Sequence, residues 1–266
     1  MGVGRLTRLG AVGYLNARPL TWALDRAPER WEVRYDLPSV CARLLREGDV
    51  DLGLVPSIEF LQAPDYRFVP GVGIGARGPV ASVALFARVP IEEITRIALD
   101  TSSRTSVALI KVLSRHRFRI DPEFVPHGPD LAAMTRESDA ALLIGDPALE
   151  ADSSALGLRK IDLGEEWVAM TGLPFIFAAW TGRPGAIDAA GIRALQDAQA
   201  EGVRDRQAIA AEYGRGDPAV TARAAVYLRD NVKYGLGPEE AAGLQMFLDY
   251  AADLGLGPRR NLEFFG

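Results

Sequence analysis

The chain has 266 residues, 48% of them hydrophobic, with one cysteine, two histidines and a formal net charge of −5. That length buries one large core or two smaller ones, and the acidic balance argues against sequence-independent binding of nucleic acid, which needs a concentrated basic face. A lone cysteine, Cys41, excludes disulfides and cysteine metal clusters, and no apolar run approaches the roughly 18 residues of a membrane span.

Leu6 to Val12 reads as a strand, and Leu9 to Leu15, apolar without a helical stripe, suits one covered on both faces. In VGYLNARPL, Val12 to Leu20, the strand stops at Asn16 and Arg18. Pro19 then opens a helix to Leu24, because its missing N–H has no partner in a first helical turn. A strand end facing a helix start is where α/β proteins keep ligand sites. Arg5, Arg8, Asn16 and Arg18 also interrupt this segment before a signal-peptide core forms, so the expectation is a cytoplasmic protein. Trp31 to Tyr35 alternates as a strand, Val40 to Leu45 is a helix closed by Gly48, and Asp51 to Val55 is a strand running into Pro56. These βαβ units predict a mostly parallel sheet.

GIGARG, Gly73 to Gly78, matches the dinucleotide fingerprint GxGxxG but is rejected, because the third glycine must open a helix and the sequence from Pro79 is β-branched. Its glycines are read as bends where the chain passes between lobes. VASVALFARV, ending at Pro90, is long enough to leave one sheet and enter another. Ser82 lies on it, and alternation leaves its inward or outward orientation open.

The grammar then repeats. Ile97 to Leu99, Glu123 to Val125 and Ala140 to Ile144 read as strands, and Arg104 to Ser114 and Leu131 to Thr135 as helices. Leu173 to Trp180 is a second long β run, and from Ile187 onward the chain reads as almost wholly helical. The expected fold is α/β, a two-lobed hinged clamshell with mixed, mostly parallel sheets and a helical C-terminus. Residues 1–83 and 181–266 would form one lobe and 84–180 an inserted second lobe, with a ligand cleft between them.

Three strand-to-helix junctions would line that cleft. DTSSRTSVALIKVL, Asp100 to Leu113, places five hydroxyl residues before and within a helix start. Backbone N–H groups, hydroxyls and the positive end of the dipole suit a carboxylate or phosphate there; alternatively Ser102 or Ser103 simply caps the helix. LVPSIEF puts Ser57 at a helix start with Glu59 in the first turn, and capping alone also accounts for Ser57. LLIGDPAL adds Gly145, which lets a ligand approach the backbone, and Asp146, available to cap or bind. His116 and His127 lack any metal-ligand spacing and read as surface residues, and no GxSxG elbow offers a serine nucleophile. Glu165 and Glu166 read as a solvated helix start, Trp167 and Trp180 as core or cleft wall, and Cys41 as a packed core thiol.

VGYLNARPL, DLGLVPSIEF, DTSSRTSVALIKVL, LLIGDPAL and WVAMTGLPFIFAAW stand in the order and spacing of the MqnA family, the chorismate dehydratases of the futalosine route to menaquinone, which the chain resembles over nearly its whole length. The resemblance implies a fold like the type II periplasmic binding proteins. It also implies loss of water from chorismate to give 3-[(1-carboxyvinyl)oxy]benzoate, a hydro-lyase reaction with no cofactor and no metal. The related MqnD enzymes carry a histidine where this chain has Gly145, a departure that favours the dehydratase. A solute-binding protein for a small carboxylate is the rival from another class. By resemblance Asn16 hydrogen-bonds at the reacting end, and Ser82 meets the departing hydroxyl or the ring carboxylate. Ser57, Ser103, Thr105 and Ser106 hold carboxylates, and Gly145 and Asp146 close the opposite wall. Arg18 supplies positive charge or pairs with a surface carboxylate.

Overall fold

The computed structural model describes residues 6–266. In chain order it runs β1 (Thr7–Val12), α1 (Arg18–Thr21), β2 (Trp31–Asp36), α2 (Pro38–Glu47), β3 (Leu52–Pro56), β4 (Arg67–Ala76), β5 (Val83–Ala87), β6 (Arg96–Asp100) and α3 (Arg104–Leu113). There follow β7 (Glu123–His127), α4 (Leu131–Glu137), β8 (Ala140–Ile144), α5 (Gly145–Glu150), β9 (Arg159–Asp162), α6 (Leu163–Thr171) and β10 (Phe175–Gly182). The C-terminal part holds α7 (Ala189–Arg204), α8 (Arg206–Gly214), α9 (Pro218–Val226), β11 (Lys233–Tyr234) and α10 (Pro238–Asp253).

The strands form two sheets, ordered β11-β4-β10-β3-β1-β2 and β7-β6-β8-β5-β9. Each is parallel in one half, β2-β1-β3 and β7-β6-β8, where βαβ units build it. Each is antiparallel in the other, because the strands that arrive from the opposite sheet, β5 and β10, run back against their neighbours. Parallel pairing therefore covers only those halves. The chain crosses between the sheets twice, at 77–82 and at 172–174. Strand β10 pairs with β3 and β4 along its length, so sheet membership changes before Phe175 and not at residue 180.

Two segments differ from the sequence expectation. Gly73 and Gly75 lie inside β4 and are not bends. A Cβ on Gly75 would sit 2.6 Å from the carbonyl oxygen of Phe175, so glycine there lets β10 approach. The C-terminal part is broken by a π turn, Tyr227–Asn231, and by β11, which adds an edge strand to β4. Trp167 and Trp180 are fully buried. The Trp167 ring meets Phe175 and Phe247 edge-on at centroid distances of 5.2 and 6.1 Å, tying α6, β10 and α10 into one core. Cys41 is buried too, its thiol pushed up to about 12 by that burial, which leaves it inert. Among the described residues no helix is long and apolar enough to cross a membrane.

Candidate active site

A narrow cleft lies between the two sheets, at the ends of β1, β3 and β8. From the first sheet it is lined by Tyr14, Asn16, Pro56, Ile74 and Phe177. The other wall is Ser103, Ser106, Ile144 and Gly145, with Val80 of the first crossing and Val83 at the start of β5 completing it. The lining carries no Lys, Arg or His among the described residues. Its polar side chains are the Asn16 amide, the Tyr14 phenol and two hydroxyls at the start of α3, where the first-turn N–H groups have no intrahelical partner.

Ser103 is the N-cap of α3. Its Oγ accepts from the Ser106 N–H at 3.4 Å and from Ser106 Oγ at 3.1 Å, so the two hydroxyls stand together on the cleft wall. Ser57 and Thr105 behave differently: both are completely buried. Ser57 donates to the Ile176 carbonyl at 2.7 Å, and Thr105 Oγ1 accepts from the Ile58 N–H at 3.1 Å. Those hydroxyls hold the segment after β3 against α3 and β10, and neither lines the cleft, because a buried hydroxyl must find protein partners. Glu59, read as a first-turn charge, is 2% exposed and paired with Arg104 of α3 at 2.9 Å.

At the other end of the cleft the strand-to-helix junction of β8 and α5 meets the end of β1. Gly145 has φ +66°, and the Tyr14 ring lies against it. Asp146 Oδ1 accepts from the Leu15 N–H at 3.1 Å, and burial pushes its carboxyl up to about 6 despite that bond. Beside it the Tyr213 hydroxyl of α8 donates to Glu150 of α5 at 2.6 Å. Arg18 is not brought to Asn16. Its guanidinium pairs with Glu212 at 2.5 Å and, with Asp146, Glu150 and Tyr213, lines a separate outer depression.

Asn16 sits in the single turn after β1, its carbonyl held by the Tyr234 hydroxyl at 2.9 Å, and its Oδ1 is buried with no protein partner. Ser82 is buried at the first crossing, where its Oγ accepts from the Tyr227 hydroxyl at 2.7 Å. Asn16 lines the cleft; Ser82 does not itself line it, although Val80 and Val83 around it do. Tyr14, Tyr227 and Tyr234 escape the sequence reading. Tyr14 lies inside the segment already singled out, but Tyr227 sits in a helical pattern with nothing to mark it.

Two mixed α/β sheets joined by two crossings and facing each other across a cleft define the two-lobed class of periplasmic-binding-protein-like proteins. The fold superposes on protein AF1704 from Archaeoglobus fulgidus with a TM-score of 0.72, at 19% identity, covering 94% of this chain and 97% of that one. It also superposes on the alkanesulfonate-binding protein SsuA of Xanthomonas axonopodis pv. citri, solved bound to MOPS, with a TM-score of 0.69 at 18% identity, covering 97% and 96%. The chain belongs to the menaquinone-biosynthesis family VitK2_biosynth, which it matches over residues 7–253. It is 32% identical to the chorismate dehydratase of Thermus thermophilus over 229 residues, 78% of this chain and 82% of that protein. It is 30% identical to the chorismate dehydratase of Campylobacter jejuni over 181 residues, 65% of this chain and 66% of that one.

Proposed function

We propose that this protein is a chorismate dehydratase, a hydro-lyase that forms 3-[(1-carboxyvinyl)oxy]benzoate for menaquinone biosynthesis. The observation that carries the reading is the likeness to the Thermus enzyme across 78% of the chain; the cleft makes it chemically intelligible. Removing the ring proton beside the enolpyruvyl ether and expelling the neighbouring hydroxyl leaves an aromatic ring, so the substrate supplies the driving force. The C–H electron pair becomes ring π bond, the C–O bond breaks, and the departing oxygen takes a proton to leave as water. The enolpyruvyl carboxylate lies near enough to that ring proton to act as the base and then to return it to the leaving hydroxyl.

The protein's task is then positioning and electrostatics, which a wall of uncharged donors supplies. Asn16 hydrogen-bonds at the reacting end, its amide N–H groups donating and its unpartnered Oδ1 open to accept from a substrate hydroxyl. Ser103 and Ser106, with the α3 dipole behind them, receive a carboxylate. Ser82 faces the departing hydroxyl, and Gly145 closes the far wall. Ser57, Thr105 and Asp146 act one step back by holding the walls together, and Arg18 stays outside as the partner of Glu212.

The free volume of the cleft is about 40 Å³, far below the roughly 300 Å³ or more of a small-molecule pocket. A ring dicarboxylate therefore enters after the lobes part. We place the opening on the α5–α8 side, whose bridges are the half-buried Asp146–Leu15 and the exposed Tyr213–Glu150 contacts, and the pivot on the α3 side with its buried hydroxyl bridge. In this division the first sheet with the C-terminal helices is one lobe, and residues from about 84 to the second crossing are the other. A cytoplasmic location goes with a doubly charged substrate that does not cross a bilayer unaided.

Incubation of the pure protein with chorismate tests the reading. Dehydratase activity yields a product lighter by one water with a new aromatic absorbance. Recovery of unchanged chorismate would overturn the proposal, and tight binding without turnover would instead make the chain a solute-binding protein.

A further inference from the structure

We propose that Tyr227 is a positioning residue of the dehydration site, presenting Ser82 to the departing hydroxyl with the serine proton free to donate; this rests on the dehydratase reading above. The Tyr227 hydroxyl donates to Ser82 Oγ at 2.7 Å, and with the two residues 2% and 1% exposed, bulk water does not compete for that bond. A serine hydroxyl that accepts from a phenol still holds its own proton. Among the described residues no protein acceptor takes that proton, and Val80 and Val83 on either side of Ser82 line the cleft.

The fold works to keep this geometry. Tyr227 opens the π turn Tyr227–Asn231, a form found mostly as single-turn insertions and often at functional sites. The same turn grips the crossing a second time, through the Asn231 side-chain amide donating to the Pro79 carbonyl at 2.9 Å. From the other sheet the Asp162 carboxylate accepts the N–H groups of Val80 and Ala81 at 3.0 and 2.6 Å. Ala81 sits at φ +64°, a left-handed backbone that an alanine holds only when its surroundings enforce it. Ser82 is thus pinned from both lobes. Seven residues on, Tyr234 holds the Asn16 carbonyl at 2.9 Å, so one short segment sets both proposed reacting groups relative to each other. Burial holds the Tyr227 phenol well above the ordinary tyrosine range, which keeps it a protonated donor at every working pH.

Tyr227→Phe keeps the ring and removes the donor. We expect kcat to fall about tenfold or more with KM within about twofold, and no further fall when the change is made in a Ser82→Ala background. Wild-type kcat in Tyr227→Phe, or an equal fractional loss in the Ser82→Ala background, overturns the proposal while leaving the dehydratase reading intact. A wild-type protein without turnover overturns both. Should Tyr227→Phe not fold, site-specific 3,5-difluorotyrosine at 227 keeps the shape with a more acidic phenol. The proposal then requires kcat to fall away at lower alkaline pH than in the wild type, and an unchanged profile overturns it.

Discussion

The ring of Tyr14 lies so close to the backbone of Gly145 that a Cβ on the glycine would sit 2.8 Å from Tyr14 Cε2. Tyr14 follows β1 of the first sheet and Gly145 opens α5 after β8 of the second, so the contact joins the ends of the two sheets. Gly145 also holds φ +66°, where a side chain costs about 1–2 kcal/mol.

Gly145→Ala therefore meets two obstacles at once, backbone strain and a ring that must give way. The lobes are held apart at the cleft mouth, and the Asp146–Leu15 bond next to it is lost. The expected result is a fall in kcat/KM of about 10-fold or more with a protein that still folds. Steady-state kinetics beside a thermal melt checks it; full activity would mean that Tyr14 and Gly145 do not meet during turnover.

Asn16→Ala removes an amide whose Oδ1 has no protein partner, while the backbone carbonyl that Tyr234 holds is untouched. Stability should barely move. The amide N–H groups lost in this variant are the donors, and one preorganised donor at a developing charge is worth about 3 kcal/mol, or roughly 100-fold in kcat. Turnover at the wild-type rate in the alanine variant would remove Asn16 from the mechanism.

Local features of the chain were legible where one residue type has one physical use. Pro19 at a helix opening, Gly48 in the left-handed conformation after α2 and the Ser103 cap all read directly from short sequence. Asn16, Ser103, Ser106 and Gly145 were placed on the cleft by the same logic of strand ends facing helix starts. What stayed hidden depends on partners far along the chain. Gly73 and Gly75 look like bend residues until β10 is laid beside them, and nothing near Ser57 or Thr105 announces that each will satisfy the other's neighbourhood across the lobes. Arg18 faces Glu212 across 194 positions of sequence, and Tyr227 meets Ser82 across 145. No local pattern carries such pairings.

Glu59→Ala tests the α3 side of the molecule. The carboxylate is 2% exposed and lies 2.9 Å from Arg104 and 3.9 Å from Arg46, both of which remain about half in water. Those guanidiniums can turn outward when the partner goes, so the loss should stay near 1–3 kcal/mol, below the roughly 3–5 expected when a fully buried pair is broken. Urea unfolding gives the number. A loss under about 0.5 kcal/mol would class the pair with ordinary surface bridges and would argue against a fixed pivot on this side.

Asp146 gives the protein a pH dependence of definite sign. Burial raises its carboxyl from an ordinary 3.8 to about 6, so the folded state holds the proton more tightly than the unfolded chain does. Ionised Asp146 therefore penalises folding: the cost is absent below about pH 4, grows between about 4 and 6, and is complete above that. Asp146→Asn keeps an oxygen for the Leu15 N–H and abolishes the charge. Relative to wild type, the asparagine variant should gain roughly 1–3 kcal/mol at pH 7.5 and nothing near pH 4. Thermal or urea unfolding at the two pH values checks this. An equal effect at both would show that the carboxyl titrates normally and that the α5 junction is open to water.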